Sequence, residues 1–267
     1  MLSLCGCREA PRPPWAVAPP SGQGGDATIA GQPARLTKLV IPPTIDGVLD
    51  EAVWQAMPVL GPFVDPGDGA GVSVEHPVAA FARVGWTDEQ LYVGIVVGDR
   101  EARSPFKKDD VDPHIWAEAS GVELMVQPGD PGDNKGYFEI QIDVAGAVWD
   151  TRFDDYNAPV TGAGESKQFG HQGWASGVTR AVSVGKGYYA VELSLPFASI
   201  DDGARVRVPP RPGDVWRLNL YSFRDGQKQA LAWSPLRDEG NFHKASRFGR
   251  VVFWDTRMPT APAAPAR

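Results

Sequence analysis

The chain has few cysteines, no cluster of basic residues and no long apolar run. Its 267 residues include only two cysteines, Cys5 and Cys7, which lie too close together to staple a fold. There are 26 basic against 33 acidic residues, a net charge of −7, so the basic surface typical of nucleic-acid binding is not expected. No apolar run approaches the roughly 20 residues needed to span a bilayer. A hydrophobic core must therefore stabilise the fold.

The N-terminus indicates a lipid anchor. Leu4-Cys5-Gly6-Cys7 resembles the end of a bacterial lipoprotein signal, although the charged start and the apolar stretch of such a signal are missing. We interpret residues 1–7 as a remnant of that signal, with Cys7 as the lipidated residue. Attachment through Cys7 is the only membrane contact expected. The predicted location is the bacterial cell envelope, as an outer-membrane lipoprotein, or the secreted fraction.

Composition divides the rest of the chain into three parts. Residues 8–37 are rich in Pro and Gly and predict an extended tether. Residues 38–257 carry the periodic apolar pattern and form the predicted domain. Residues 258–267 are a Pro/Ala-rich tail that we expect to be disordered.

The domain is predicted to be all-β. Short segments of period-two alternation, separated by Gly, Asp and Pro clusters, indicate roughly ten strands in an antiparallel β-sandwich of two packed sheets. One short helix is expected within residues 45–54, after the Asp46-Gly47 turn and with Asp50 as its N-cap. Its predicted role is structural.

A hairpin of residues 121–127 and 137–143 carries functional information. Alternation places Val122, Leu124 and Val126 on a core face together with Phe138, Ile140 and Ile142. The opposite face collects carboxylates, amides and a phenol: Glu123, Met125, Gln127, Tyr137, Glu139, Gln141 and Asp143. This is either an ordinary solvated sheet face or a ligand platform.

Aromatic residues near the hairpin favour a platform that binds sugar. Trp116 immediately precedes it, and a second aromatic loop runs from Trp233 to His243. A tryptophan can stack on a sugar ring while nearby carboxylates accept its hydroxyls. The alternative for Trp116 is a core plug at the edge of the sandwich.

Other chemistries have weaker support in the sequence. There is no Gly-x-Ser-x-Gly motif, and the four histidines lack metal-ligand spacing. Glu123 and Glu139 remain open as a glycosidase pair. The Asp-rich loops 109–112 and 129–134 offer oxygen ligands for Ca²⁺, the one cofactor considered, without the spacing of a helix-loop-helix site.

The order of motifs resembles the family 9 carbohydrate-binding modules and their relatives in bacterial lipoproteins and xylanases. The matching pieces are residues 45–54, 86–93, Trp116 with 121–124, 137–140, 189–197, 233–235, 241–243 and 248–249. The resemblance implies a β-sandwich that holds a glycan end between two aromatic side chains, without catalysis and often with structural calcium. No obligate protein partner is expected.

The resemblance also implies site residues. Trp116 falls on the stacking tryptophan and Glu123 on the acidic residue of the following strand, while Glu139 stands where a basic residue is expected. Trp233 and Phe242 compete as the second aromatic. The residues predicted to contact carbohydrate are Trp116, Glu123, Tyr137, Glu139, Trp233, Asn241, Phe242 and His243.

Three alternatives remain at this point. One is a haem-binding or electron-transfer sandwich with Met125 and either His114 or His243 as axial ligands. The second is a glycoside hydrolase or a domain associated with one, and the third is a structural interaction domain of the cell envelope.

Overall fold

The computed structural model describes residues 21–71, 77, 79–162, 166–201 and 204–257. Cys7, residues 8–20 of the predicted tether and the C-terminal tail lie outside these residues. None of the described helices is long and apolar enough to cross a membrane.

Fourteen strands occur in the described residues, more than the roughly ten predicted. They are β1 (Ala34–Lys38), β2 (Val59–Leu60), β3 (Ala79–Trp86), β4 (Gln90–Gly98), β5 (Gly121–Gln127), β6 (Lys135–Asp143), β7 (Val148–Asp155), β8 (Val160–Thr161), β9 (Lys167–Gln168), β10 (Thr179–Gly185), β11 (Tyr188–Pro196), β12 (Val215–Arg224), β13 (Gln229–Ala232) and β14 (Gly249–Trp254). Short helices are α1 (Asp26–Ala30), α2 (Ala52–Ala56) and α3 (Ile115–Glu118), with 3₁₀ turns at Phe197–Ser199 and Ala245–Arg247. The fold is therefore mostly β, as predicted.

Twelve strands form one strongly curled sheet. Its order is β10-β11-β4-β3-β1-β14-β12-β5-β6-β7, with β2 paired to β3 and β13 to β12, while β8 and β9 form a small second sheet. Most pairs are antiparallel, but β1 runs parallel to both of its neighbours. Inward side chains from both halves of the curled sheet meet in one apolar cluster that includes Val93 of β4, Leu124 of β5 and Phe253 of β14.

The second half of the predicted tether belongs to the fold, which corrects the expectation for residues 21–37. Strand β1 lies between β3 and β14, with Leu36 opposite Phe253. Helix α1 follows Gly25, and Thr28 Oγ1 accepts the Arg250 N–H at 2.7 Å. A local Pro- and Gly-rich composition does not reveal pairing with a strand more than 200 residues away.

The predicted helix at residues 45–54 is shorter and begins later. Helix α2 starts at Ala52 after Glu51, so Asp50 is not its N-cap. The segment before it is held as a turn, because the Glu192 carboxylate accepts the N–H groups of Asp46 at 2.9 Å and Gly47 at 2.7 Å. The Asp46-Gly47 turn signal is confirmed, since Gly47 has a φ of +92°.

The predicted hairpin is confirmed as β5–β6. In it, Val122, Leu124 and Val126 face the core, as the alternation predicts. The opposite face of β5 and β6 lies outside the curl of the sheet, and β7 extends it.

Candidate functional site

The outer face of β5, β6 and β7 brings polar and aromatic side chains into cross-strand register. One row runs from Glu123 through Gln141 to Trp149, and the next contains Glu139 opposite Thr151. Side chains directly opposite on one sheet face lie within contact distance. The strand alternation therefore builds a compact group from residues that are distant in sequence.

A buried pair of carboxyl groups lies at the centre of this face. Gln141 Nε2 donates to Glu123 Oε2 at 2.9 Å and to Glu139 Oε1 at 2.6 Å. Gln227, in the turn between β12 and β13, donates a further hydrogen bond to Glu123 Oε2 at 2.9 Å. The side-chain amides thus satisfy one oxygen of each glutamate.

The other oxygens of the group have no partner. Glu123 Oε1, Glu139 Oε2 and Gln141 Oε1 are buried without a hydrogen bond to any residue that the structure describes. Burial and the nearby Glu139 raise the pKa of Glu123, and burial raises the pKa of Glu139. The pair therefore retains a proton at pH values where an exposed glutamate has lost it.

A cavity of about 530 Å³ lies over this face. Its lining combines carboxyl and amide groups with aromatic rings: His114, Trp116, Glu139, Gln141, Trp149, Phe153, Tyr156, Ser166, Lys167, Gln168, Phe169, Gln172, Gln227 and His243. Such a mixture of apolar walls and few convergent polar groups is typical of small-molecule sites. The cavity is the candidate functional site.

One wall of the cavity is a stack of rings around His243. The His243 imidazole lies 4.1 Å from the Tyr156 ring, at an interplanar angle of 11°, and 5.1 Å from the Phe153 ring. Its Nδ1 is 2.8 Å from the Tyr137 hydroxyl. Burial lowers the pKa of His243 to about 4, so the ring is neutral at pH 7.

Trp116 lies at the rim on the single turn of α3. Its side chain is partly exposed, and its ring is 5.5 Å from that of His114. The Trp116 carbonyl accepts the Gln227 N–H at 3.1 Å, which joins α3 to the turn that carries Gln227. The core-plug alternative is therefore wrong for Trp116.

Six of the eight predicted site residues lie in the cavity, beneath it or beside it. Trp116, Glu139 and His243 line the cavity. Glu123 and Tyr137 are fully buried beneath it and reach it only through their hydrogen-bond partners. Asn241 does not line it, but its Nδ2 donates to the Tyr156 hydroxyl at 2.9 Å.

Both candidates for the second aromatic residue point elsewhere. Trp233 is fully buried in the core and donates from Nε1 to the Gln23 carbonyl at 2.7 Å. Phe242 stacks on Tyr221 at 4.0 Å and is 9% exposed. Neither ring can form a face of the cavity, so this part of the prediction is wrong.

Four other aromatic residues that line the cavity were missed. Trp149 and Phe153 lie on β7, while Tyr156 and Phe169 follow it in the chain. Trp149, Thr151 and Phe153 share a strand face, so extending the alternation of the hairpin by one strand would have found two of them.

The geometry argues against two alternatives. Met125 is fully buried in an aromatic cluster with Tyr137 and Tyr221 and lines no part of the cavity, so it is not placed to ligate haem there. Glu123 lies below the cavity and shares Gln141 with Glu139, whereas a glycosidase pair must flank the scissile bond.

The Asp-rich loops are the candidate ligands for Ca²⁺. Among the described residues, no group of three or more carboxylate, imidazole or thiol side chains converges on a metal-sized position. In the second loop, Asp130 pairs with Arg217 at 2.7 Å and Arg250 at 2.8 Å, and Asp133 pairs with Arg205. Arginines therefore occupy these two carboxylates in the structure.

A second, more open recess adjoins the cavity. Its volume is about 770 Å³, and it shares His114, Trp149, Gln168 and Gln172 with the cavity. The remaining lining comes largely from residues 160–162 and 171–175. A ligand longer than the cavity would therefore continue into this recess.

Comparisons with known proteins agree on the fold. The chain matches solved structures of a putative carbohydrate-binding protein from Bacteroides uniformis (TM-score 0.61, 17% identity, 84% of this chain and 100% of that one) and of a family 9 carbohydrate-binding module from Caldicellulosiruptor kristjanssonii in complex with cellotriose (TM-score 0.57, 13% identity, 86% and 100%). The structure of such a module from the same organism in complex with glucose gives a TM-score of 0.55 at 14% identity, and the match covers 85% of this chain and 100% of that one. No curated protein sequence matches the chain significantly. The model of the carbohydrate family 9 binding domain-like family matches residues 45–256, and the chain therefore belongs to that family.

Proposed function

We propose that this protein binds carbohydrate without catalysis, in the cavity on the outer face of β5–β7. The observation that carries the proposal is the combination of Trp116 and other aromatic rings with the unpartnered oxygens of Glu139 and Gln141 in one cavity. Sugar rings present apolar C–H faces for stacking and hydroxyl groups that donate hydrogen bonds. The relatives with bound cellotriose and glucose support this class of ligand.

Each part of the cavity has a role in this proposal. Trp116 at the rim and Tyr156 in the wall that contains His243 provide ring faces for a pyranose. Glu139 Oε2 and Gln141 Oε1 accept hydroxyl hydrogens at the floor, which relieves the cost of leaving buried acceptors unpaired. Because the adjoining recess continues the cavity, we expect an oligosaccharide to bind more tightly than a monosaccharide.

Isothermal titration calorimetry of the full chain with cellotriose and xylotriose tests the proposal. Trp116→Ala should weaken binding about tenfold, because a buried aromatic contact contributes roughly 1.5 kcal/mol. Trp254→Ala is the matched control, since that ring lies at the end of β14, packed against Arg35, away from the cavity.

Equal affinities of the two variants would contradict a site at Trp116. Absence of binding to these trisaccharides and to a broad glycan panel, with a folded protein, would contradict carbohydrate binding. Release of reducing ends from either trisaccharide would contradict the non-catalytic part of the proposal.

We propose further that the halves of the curled sheet pack as the two layers of a β-sandwich, because their inward side chains share one apolar cluster. Lipidation at Cys7 and a place in the bacterial cell envelope remain proposals from the sequence. Mass spectrometry of the protein isolated from its natural membrane tests them: a lipid-modified Cys7 is expected, and an unmodified Cys7 would contradict the anchor.

A further inference from the structure

The floor of the cavity offers hydrogen-bond acceptors that lack donors. Glu139 is 2% exposed and Gln141 is fully buried, and both line the cavity. Their free oxygens, Glu139 Oε2 and Gln141 Oε1, accept no hydrogen bond from any described residue. Glu123 Oε1, which lies below them, also accepts none. A ligand group with several N–H or O–H donors would satisfy them.

Charge narrows the choice of ligand group. Within the described part of the chain, no Lys or Arg forms an ion pair with Glu123 or Glu139. The closest basic side chain is His243, with Nδ1 3.9 Å from Glu139 Oε2, and its burial keeps it neutral. Any negative charge on the pair is therefore buried without a cationic partner, which is costly.

The walls suit a cation as well as a sugar ring. Aromatic faces attract cations through the electrostatics of their π systems. Trp116, Trp149, Phe153 and Tyr156 all line the cavity. Hydroxyl groups would satisfy the acceptors but leave the charge uncompensated, whereas an ammonium group supplies three donors and a positive charge together.

We infer that the cavity selects a carbohydrate carrying a free amino group, with its ammonium seated on Glu139 Oε2 and Gln141 Oε1. This inference rests on the proposed function and specifies its substrate class. Binding of the ammonium favours the ionised form of the Glu123–Glu139 pair, so the complex forms with release of a proton from that pair. The other titratable groups that face or underlie the cavity are His114, His243, Tyr137, Tyr156, Tyr221 and Lys167.

Among the described residues that line the cavity, Lys167 is the one strongly basic side chain. It is exposed at the rim on β9 and forms no ion pair with either glutamate. Its charge opposes the approach of an ammonium group and has little effect on a neutral sugar. Lys167→Ala should therefore strengthen the binding of an amino sugar selectively.

Three β-1,4-linked trisaccharides that differ at C2 provide the test. They are the glucosamine trimer with an ammonium group, the N-acetylglucosamine trimer with an acetamide, and cellotriose with a hydroxyl. In calorimetry of the full chain at pH 6.5 and low salt, we expect the glucosamine trimer to bind about tenfold more tightly than cellotriose. Its enthalpy should vary with the ionisation enthalpy of the buffer, which reports the released proton.

Two variants separate the amine contact from general damage to the site. Glu139→Gln should remove the advantage of the glucosamine trimer over cellotriose, because an amide leaves an acceptor but no charge. Lys167→Ala should increase that advantage about twofold. This second result tests the inference even if the Glu139→Gln variant does not fold.

Cellotriose binding as tightly as the glucosamine trimer, or an advantage unchanged in both variants, would overturn the inference and leave the proposed function intact. Absence of binding to all three trisaccharides and to the wider glycan panel would overturn both.

Discussion

The curled sheet buries glutamates on two parts of its outer face, and the two are covered differently. Over β3, β4 and β11, residues 39–57 pack Leu49, Trp54 and Met57 onto the sheet. Glu192 of β11 lies beneath this segment and binds its turn. Over β5–β7, the corresponding space is the cavity, and the Glu123–Glu139 pair lies at its floor.

The hydrogen-bond donors explain the difference. Backbone N–H groups of Asp46 and Gly47 bind Glu192 Oε2, and Ser183 Oγ donates to the Gly47 carbonyl at 2.6 Å, so the covering segment is fixed by the sheet itself. The Glu123–Glu139 pair receives only side-chain amides. All three glutamates have one buried oxygen without a partner among the described residues, but only Glu139 lines the cavity. A buried acid that anchors backbone supports the fold, whereas a buried acid with a free oxygen beside a cavity is available to a ligand.

Removing the anchor should have the largest effect on stability. Glu192→Ala leaves two N–H groups without their acceptor, and we expect a loss of about 2–4 kcal/mol in the free energy of unfolding, measured by urea denaturation. Glu192→Gln retains an acceptor oxygen and should lose less. Carbohydrate affinity of the folded Ala variant should be unchanged. A loss below about 0.5 kcal/mol would show that the turn does not depend on Glu192.

The raised pKa values of Glu123 and Glu139 should make the free energy of unfolding depend on pH. Because the folded protein holds protons on these groups that the unfolded chain releases, their contribution to stability is largest below pH 4.5, the ordinary pKa of a glutamate, and falls as pH rises above it. Burial raises the pKa of Glu192 to about 7, which adds a loss of the same sign between about pH 4.5 and 7.

Glu139→Gln removes one proton-binding group from the pair. We expect the variant to gain about 1–2 kcal/mol relative to the unmodified protein between pH 5 and pH 8, measured by urea denaturation at each pH. Glu89→Gln is the control, since Glu89 lies in the exposed turn between β3 and β4. Parallel pH profiles for Glu139→Gln and the unmodified protein would contradict a protonated pair.

Local patterns predicted the parts of the fold that depend on neighbours in sequence. The alternation of β5 and β6 correctly separated the core face from the face that carries Glu123 and Glu139. Trp116 was singled out by its position in the segment before β5 and by the family resemblance. Contacts between distant segments could not be obtained this way. Strand β1 is stabilised by β14 at the other end of the domain, and composition contains no sign of that partner.

Phe242 and His243, which are adjacent in one loop, also show where prediction from the sequence fails. His243 points into the cavity, whereas Phe242 stacks on Tyr221 of β12 in the cluster below. In an irregular loop there is no strand or helix period to assign the two side chains to their faces. Only the packed structure distinguishes the aromatic residue that lines the cavity from the one that supports the sheet.

A smaller effect is expected for Gln227, which reaches the pair from outside the sheet. Gln227→Ala removes one of the two hydrogen bonds to Glu123 Oε2 and should lower stability by about 1 kcal/mol. Binding of the preferred trisaccharide should weaken a few-fold, because Gln227 also lines the cavity. Lys228→Ala, in the same exposed turn, is the control in denaturation and calorimetry. Equal results for the two variants would mean that the amide does not position Glu123.

The smallest expected effect concerns His243, which should not titrate near neutral pH. Were this ring positively charged at neutral pH, it would compensate Glu139, 3.9 Å away, and the two buried acidic sites would differ less. Burial instead lowers the pKa of His243 to about 4, so its ring nitrogen shifts in NMR should stay at their neutral values from pH 8 down to about pH 5. Tyr137→Phe, which removes the partner of Nδ1, identifies the signal. A midpoint near 6.5 would place a cation beside Glu139 and remove the reason for a cationic ligand.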